Sequence, residues 1–165
     1  MKDWHKKKGT CFITSGTGYG STELAAFDAA ELDAGIIAVN AIKVTSFIPP
    51  GWKVSTDEKK FKRFLDKGQF QMMVYSFSAS KTKKAFAALA MGVPKDKSKS
   101  CILMEHNQVG GSLKGIRSAV ISQAEEVFSF RKWKLKEIRE FIAEAKPKKG
   151  KVAGALVAVV YFPGL

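Results

Sequence analysis

The run VAGALVAVVYF, Val152 to Phe162, constrains the fold more than any other stretch. It carries no charge, and its length falls well short of the ~20 residues that a bilayer-spanning helix needs. It therefore reads as a strand buried in a protein core. A chain of 165 residues is the size of one compact domain with a real core to put it in. The apolar fraction of 45% is that of a folded chain, and no internal repeat divides the sequence. A single domain over residues 1–165 is expected.

The charge is lopsided. The net value is +13, yet residues 1–45 carry five basic and five acidic residues and sum to zero. The excess sits in lysine-rich pieces such as KVSTDEKKFKRFLDK, SKTKKAF, PKDKSKS, RKWKLKEIR and KPKKGK. A surface this basic can attract nucleic acid or anionic lipid. Solubility is the favoured reading, because the lysines are scattered, arginine is scarce and no aromatic-rich RNA-binding signature accompanies them. The N-terminal MKDWHKKKGTCF lacks an apolar run of signal-peptide length, so a cytoplasmic protein, neither secreted nor membrane-bound, is expected. Cys11 and Cys101 fit no metal framework and read as two buried free thiols. With only His5 and His106 beside them, no common zinc site is expected.

Strands alternate with helices along the chain. CFITSGTGYGSTELAAFDAAELDAG reads as a strand, a glycine-rich turn and a helix capped by Ser21 or Thr22, with Glu23 in its first turn and Gly35 at its exit. Leu24, Phe27 and Ala34 give that helix an apolar stripe. GTGYGS is a weak match to a phosphate cradle, and glycines making a tight turn is the better reading. IIAVNAIKV and QFQMMVYSFSA read as strands, SKTKKAFAALAMG as a short helix, and KSCILMEHN as a strand that brings Glu105 to its end. SLKGIRSAVISQAEEVFSFRKW is an amphipathic helix with Ile116, Val120, Ala124, Val127 and Phe128 on one face. LKEIREFIAEA has helical spacing but also reads as the first arm of a β-hairpin with the closing apolar run. The whole is a mixed α/β or α+β domain.

One stretch is unusual. VNAIKVTSFIPPGW ends a strand in Thr45-Ser46 and sets Pro49-Pro50 just beyond. Together with LAAFDAAELDAGI, VPKDKS, ILMEHN, RKWKLKEI and GALVAVVYF, in that register, it resembles the pyruvoyl-dependent arginine decarboxylases over nearly the full chain. The most specific pieces are Asn40, Thr45, Ser46, Pro49 and Pro50, and then Met104-Glu105.

The resemblance implies an α+β fold, a four-layer α/β/β/α sandwich, assembled as a trimer or a dimer of trimers with active sites between protomers. It implies self-cleavage between Thr45 and Ser46 into chains 1–45 and 46–165. Ser46 Oγ attacks the Thr45 carbonyl carbon, and residue 46 ends as a covalent pyruvoyl group, an electron sink made from the chain itself. Such a step needs a well-held peptide and a donor for the developing oxyanion. The prolines restrict the downstream chain. The resemblance gives the donor role to Asn40, which otherwise reads as a strand-end residue bonding the backbone. It makes Glu105 the proton donor to the decarboxylated carbon. A general acid of that kind should be buried, as Ile102, Leu103 and Met104 suggest. Without the resemblance, Glu105 reads as a carboxylate paired with a lysine. Asp28 is implied to hold the guanidinium of the substrate, L-arginine, whose product agmatine feeds polyamine synthesis.

The sequence departs from the family's pattern at Glu31, at SKTKKAF and at His106-Asn107. Two alternatives accompany the main reading: a related pyruvoyl decarboxylase for another amino acid, and an uncleaved basic relative that binds nucleic acid.

Overall fold

The structure is a computed structural model that describes residues 8–65 and 68–165. His5 and the early lysines Lys2, Lys6 and Lys7 lie outside the described residues. In chain order the elements are β1 (Gly9–Gly20), α1 (Glu23–Asp33), β2 (Asn40–Lys43), β3 (Phe47–Ile48), β4 (Lys53–Ser55) and α2 (Glu58–Lys62). There follow β5 (Phe70–Ser80), β6 (Ala85–Pro94), β7 (Cys101–Val109), α3 (Leu113–Phe130), β8 (Leu135–Ala145) and β9 (Val152–Pro163). They build two sheets, ordered β2-β5-β9-β1-β4 and β3-β7-β6-β8.

The closing run forms β9, antiparallel to both β1 and β5 at the centre of the larger sheet. Ala155, Val157 and Val159 face the other sheet, where they meet Leu89 and Leu103. Leu156, Ala158 and Val160 face the opposite way, into the layer formed by α1 and α2. Both faces of the strand are covered, so its sequence is continuously apolar rather than alternating. On the far side of the smaller sheet, α3 lays Ile116, Val120 and Ala124 on Phe86, Ala88 and Ala90. The result is the expected four-layer α/β/β/α sandwich.

Four expectations from the sequence are corrected. AFAALAMGVP is not a helix: it is β6, central in its sheet between β7 and β8. Its alanines lie in two packed interfaces, one against the other sheet and one against α3, where small side chains let the layers close. Helix propensity loses here to tertiary packing. The glycines of GTGYG are not a turn but the last part of β1. A Cβ on Gly18 would stand 2.5 Å from Ala26 O, and one on Gly20 2.5 Å from Ala26 N, so these glycines let α1 lie directly on the strand. The buried face of α1 is accordingly Ala26 and Ala30, while Leu24 is 77% exposed. IIAVNAIKV is a strand only over Asn40–Lys43. LKEIREFIAEA is a strand, but not one arm of a hairpin, since β8 pairs with β6 and β9 with β1 and β5. The chain changes sheets between them.

Other local signals are met. Thr22 Oγ1 accepts from Ala25 N at 3.1 Å as the N-cap of α1. Gly35, at φ 77°, closes the helix in a left-handed turn, with Ile36 N–H donating to Glu31 O at 2.8 Å. Cys11 is buried and Cys101 half-buried, and both thiols are free.

Gly18→Val forces bulk between β1 and the α1 backbone. It is expected to cost at least about 1–3 kcal/mol in denaturant unfolding, whereas a Val at the open, exposed position Ser129 on α3 is expected to cost far less.

Candidate active site

The Thr45-Ser46 peptide lies where the chain passes from one sheet to the other. β2 is the edge of the larger sheet, parallel to β5, and β3 is the edge of the smaller sheet, antiparallel to β7. Only residues 44–46 separate them. Val44 N–H donates to Met73 O at 3.0 Å in the first sheet, and Leu103 N–H donates to Ser46 O at 2.8 Å in the second. Between these anchors Phe47 N–H donates to Thr45 O at 2.9 Å, closing a three-residue turn around Ser46. Sheet edges usually avoid presenting such unprotected chain. Here the crossover leaves Thr45 exposed and Ser46 half-buried.

The neighbouring strand sets the chemistry. Leu103 and Glu105 are two apart on β7 and share a face. Ser46, docked beside Leu103, thus meets Glu105: Ser46 Oγ donates to Glu105 Oε1 at 3.2 Å. The other carboxylate oxygen, Oε2, lies 2.6 Å from Lys43 Nζ. Lys43 also donates to Tyr75 O at 3.2 Å and stands over the Tyr75 ring. The carboxylate is therefore gripped on one side by Lys43 and presented to the serine on the other. Expectation and structure differ in two respects. Glu105 sits mid-strand rather than at the end of β7, and its side chain is 24% exposed and ion-paired rather than enclosed by apolar groups.

Asn40 directs its hydrogen bonds to residues other than Thr45. It is exposed at the start of β2, where its Nδ2 donates to Gly68 O at 2.9 Å and its backbone N–H to Gln69 O at 2.8 Å. The hydrogen bond at Thr45 O comes from Phe47 N–H instead. Asp28 is exposed on α1, and among the described residues no hydrogen bond or ion pair joins it to Ser46 or Glu105. Its helix neighbour Glu31 is half-buried, and burial first and Asp28 second push its carboxyl up to about 7.

Two residues of this region were not singled out from sequence. Lys43 was one lysine among many; the only signal was its place three residues before Ser46. Tyr161 was part of an apolar run, with its hydroxyl as the sole hint. That hydroxyl donates to Phe47 O at 3.1 Å and holds the chain just past the serine. Burial, with Cys11 and Glu105 nearby, raises its pKa. A cavity of about 230 Å³ opens here, lined by Thr45, Phe47, Met72 and Tyr161 among others.

The layers define the fold. The same architecture is found in a solved pyruvoyl-dependent histidine decarboxylase, with a TM-score of 0.53 over 62% of this chain and 54% of that one. At 13% identity this is a likeness of fold. The sequence narrows it further: the profile of the pyruvoyl-dependent arginine decarboxylases matches residues 10–164, and the chain belongs to that family. Similar proteins bearing that name come from Methanococcus aeolicus, 31% identical over 95% of this chain and 93% of the relative, and Methanocaldococcus jannaschii, 31% over 96% and 93%. A third, from Thermoplasma volcanium, is 35% identical over 72% of this chain and 65% of its own length.

The family's covalent pyruvoyl group would derive from residue 46, and the residues present fit it. Ser46 has a carboxylate within reach of its hydroxyl, a hydrogen-bond donor on the carbonyl before it, and its own carbonyl held by Leu103.

Glu31 gives a test with a definite sign. Its carboxyl is raised from 4.5 to about 7 in the folded protein, so between these values the folded state binds more protons than the unfolded one. Stability falls as pH rises through that window. Glu31→Gln is expected to remove this part of the slope when melting temperature is followed against pH.

Proposed function

We propose that the chain is a self-processing, pyruvoyl-dependent decarboxylase that converts L-arginine to agmatine and CO₂, and so serves polyamine synthesis. The observation that carries this is the 3.2 Å hydrogen bond from Ser46 Oγ to Glu105, set at a peptide whose carbonyl already has a donor.

In processing, Glu105 takes the Ser46 hydroxyl proton as Oγ bonds to the Thr45 carbonyl carbon. Phe47 N–H faces the oxygen on which charge develops. The Thr45–Ser46 C–N bond breaks, the nitrogen takes a proton, and an ester remains. Loss of the Ser46 Cα proton then expels residues 1–45 with a terminal carboxylate. Water replaces the nitrogen of residue 46 as ammonia and leaves a ketone. Asn40 serves this step by tying β2 to Gly68, which fixes the strand that delivers Thr45. Chains 1–45 and 46–165 stay together, because the first supplies β1, α1 and β2 to the sandwich.

The pyruvoyl group supplies a ketone that draws electrons from an amino acid joined through its α-amine. The residues around it do the rest. Leu103 N–H and Tyr161 hold the chain on either side of Phe47, so the group keeps its place. Glu105, oriented by Lys43, moves the proton at the carbon that has lost CO₂. Asp28 takes the guanidinium, with Glu31 one turn on. Asp28 lies exposed on the outer helical layer with no hydrogen bond or ion pair to Ser46 or Glu105 among the described residues, an arrangement that suits a homo-oligomer, a trimer or dimer of trimers, in which one protomer's α1 approaches the next protomer's site. Exposed Ile37, Ile42 and Phe70 near the β2 edge suit such a contact.

Intact mass under denaturing conditions tests processing directly. Two species are expected, one ending at Thr45 and one with a carbonyl-reactive terminus in place of Ser46. Ser46→Ala is expected to stay whole; its cleavage at this bond would overturn the assignment. With cleaved protein, Asp28→Asn is expected to raise the KM for arginine about tenfold, worth about 1.4 kcal/mol, with kcat little changed. An unchanged KM would remove Asp28 from the guanidinium site.

A further inference from the structure

A cavity of about 540 Å³ lies apart from the one at Thr45. It lies behind the Pro49–Trp52 turn, where the end of β6 meets the start of β7. Its floor is apolar, with Ile48, Val93 and Pro94. Four lysines stand around it: Lys95, Lys97, Lys99 and Lys136. No carboxylate lines it. The nearest acids are engaged, Asp96 with Ser98 and with Lys99 at 3.8 Å, and Glu137 with Arg139. Lys95, Lys97 and Lys136 have no acidic partner among the described residues.

Trp52 lines the same cavity and is only 9% exposed, held edge-on against the Tyr161 ring, so it forms a fixed aromatic wall. An apolar hollow with a one-signed rim has the make-up of a small-molecule site, few polar groups on a mostly apolar wall. The rim fixes the sign of the ligand.

We propose that this cavity binds a small amphipathic anion: a flat apolar body against Trp52 and Pro94, carrying a carboxylate, sulfonate or phosphate that the lysines hold. Trp52 and Pro49 also line the smaller cavity at Thr45, so the ligand would rest against a wall shared with the reaction site. The proposal does not depend on arginine being the substrate.

The probe is anilinonaphthalene sulfonate, titrated into the full-length protein and followed by its fluorescence, with uncharged phenylnaphthylamine as the matched control. One saturable site per chain is expected, at least about tenfold tighter for the sulfonate than for the amine. Lys95→Glu with Lys136→Glu is expected to weaken it about tenfold or more, while Lys114→Glu with Lys148→Glu, of equal charge change elsewhere, leaves it intact. Lys97→Glu alone, on an exposed turn, repeats the test should the first pair unfold. Trp52→Ala is expected to weaken binding several-fold by removing the aromatic wall. Equal losses in both double variants would mean diffuse charge attraction and overturn the proposal. So would unsaturable binding, or no binding together with cross-links from Lys97 to another copy of the chain, which would make the cavity an interface.

Discussion

Two backbone hydrogen bonds carry the site: Val44 N–H to Met73 O in one sheet, and Leu103 N–H to Ser46 O in the other. They are two residues apart along the chain and belong to different layers. The peptide between them cannot slide with either sheet alone. Its position is set by how the two sheets stack, and the stack is fixed by side-chain bonds near the same edge. Ser76 Oγ donates to His106 O at 2.7 Å and Ser78 Oγ to Gln108 O at 3.1 Å, from β5 across to β7. These buried hydroxyls do for the sheet edge what apolar packing does for the middle. Deeper in, β9 and β6 close the gap with valine, leucine and alanine.

That dependence explains why the Thr45–Ser46 peptide can be held without a special loop. A crossover of three residues has few conformations, and each end is already in a ladder. The turn at Ser46 then follows, and with it the approach of Phe47 N–H to the Thr45 carbonyl. Pro49 and Pro50 act downstream, limiting the ways the chain can leave β3. Lys43 belongs to the same economy of parts. It lies on the segment before the crossover, pairs with Glu105 across the gap, and so ties the two sheets together at the atoms that matter.

The sequence showed the ends of this arrangement better than its middle. The β9 run was legible because a strand covered on both faces must be apolar throughout. The amphipathic α3 was legible because only one of its faces is covered, and Ile116, Val120, Ala124 and Phe128 repeat at helical spacing. The α1 caps were legible because Thr22 and Gly35 satisfy local needs. What failed was read from local signals that long-range contacts override. The alanines of β6 favour a helix in isolation, and only the two layers pressing on them make a strand. The glycines of β1 mimic a turn, and only α1 lying against them explains their lack of side chains. β3, two residues long, exists because β7 is beside it, and no window of sequence contains that fact.

The site divides in the same way. Thr45, Ser46 and Glu105 are singled out only by the register of motifs, since 59 positions separate the serine from the carboxylate and no spacing rule connects them; the structure brings the last two into contact. The residues that orient them were not found, because orientation is a property of three strands meeting. Asn40 shows the limit. Its amide suits an oxyanion, and its place in the motif suggested one, yet the strand start spends that amide on Gly68 O. The donor at Thr45 is a backbone N–H, which every residue but proline possesses and which no sequence can therefore advertise. The fold thus holds the Thr45–Ser46 peptide with a generic group, and the specific residues, Glu105 and Lys43, stand on the serine side of it.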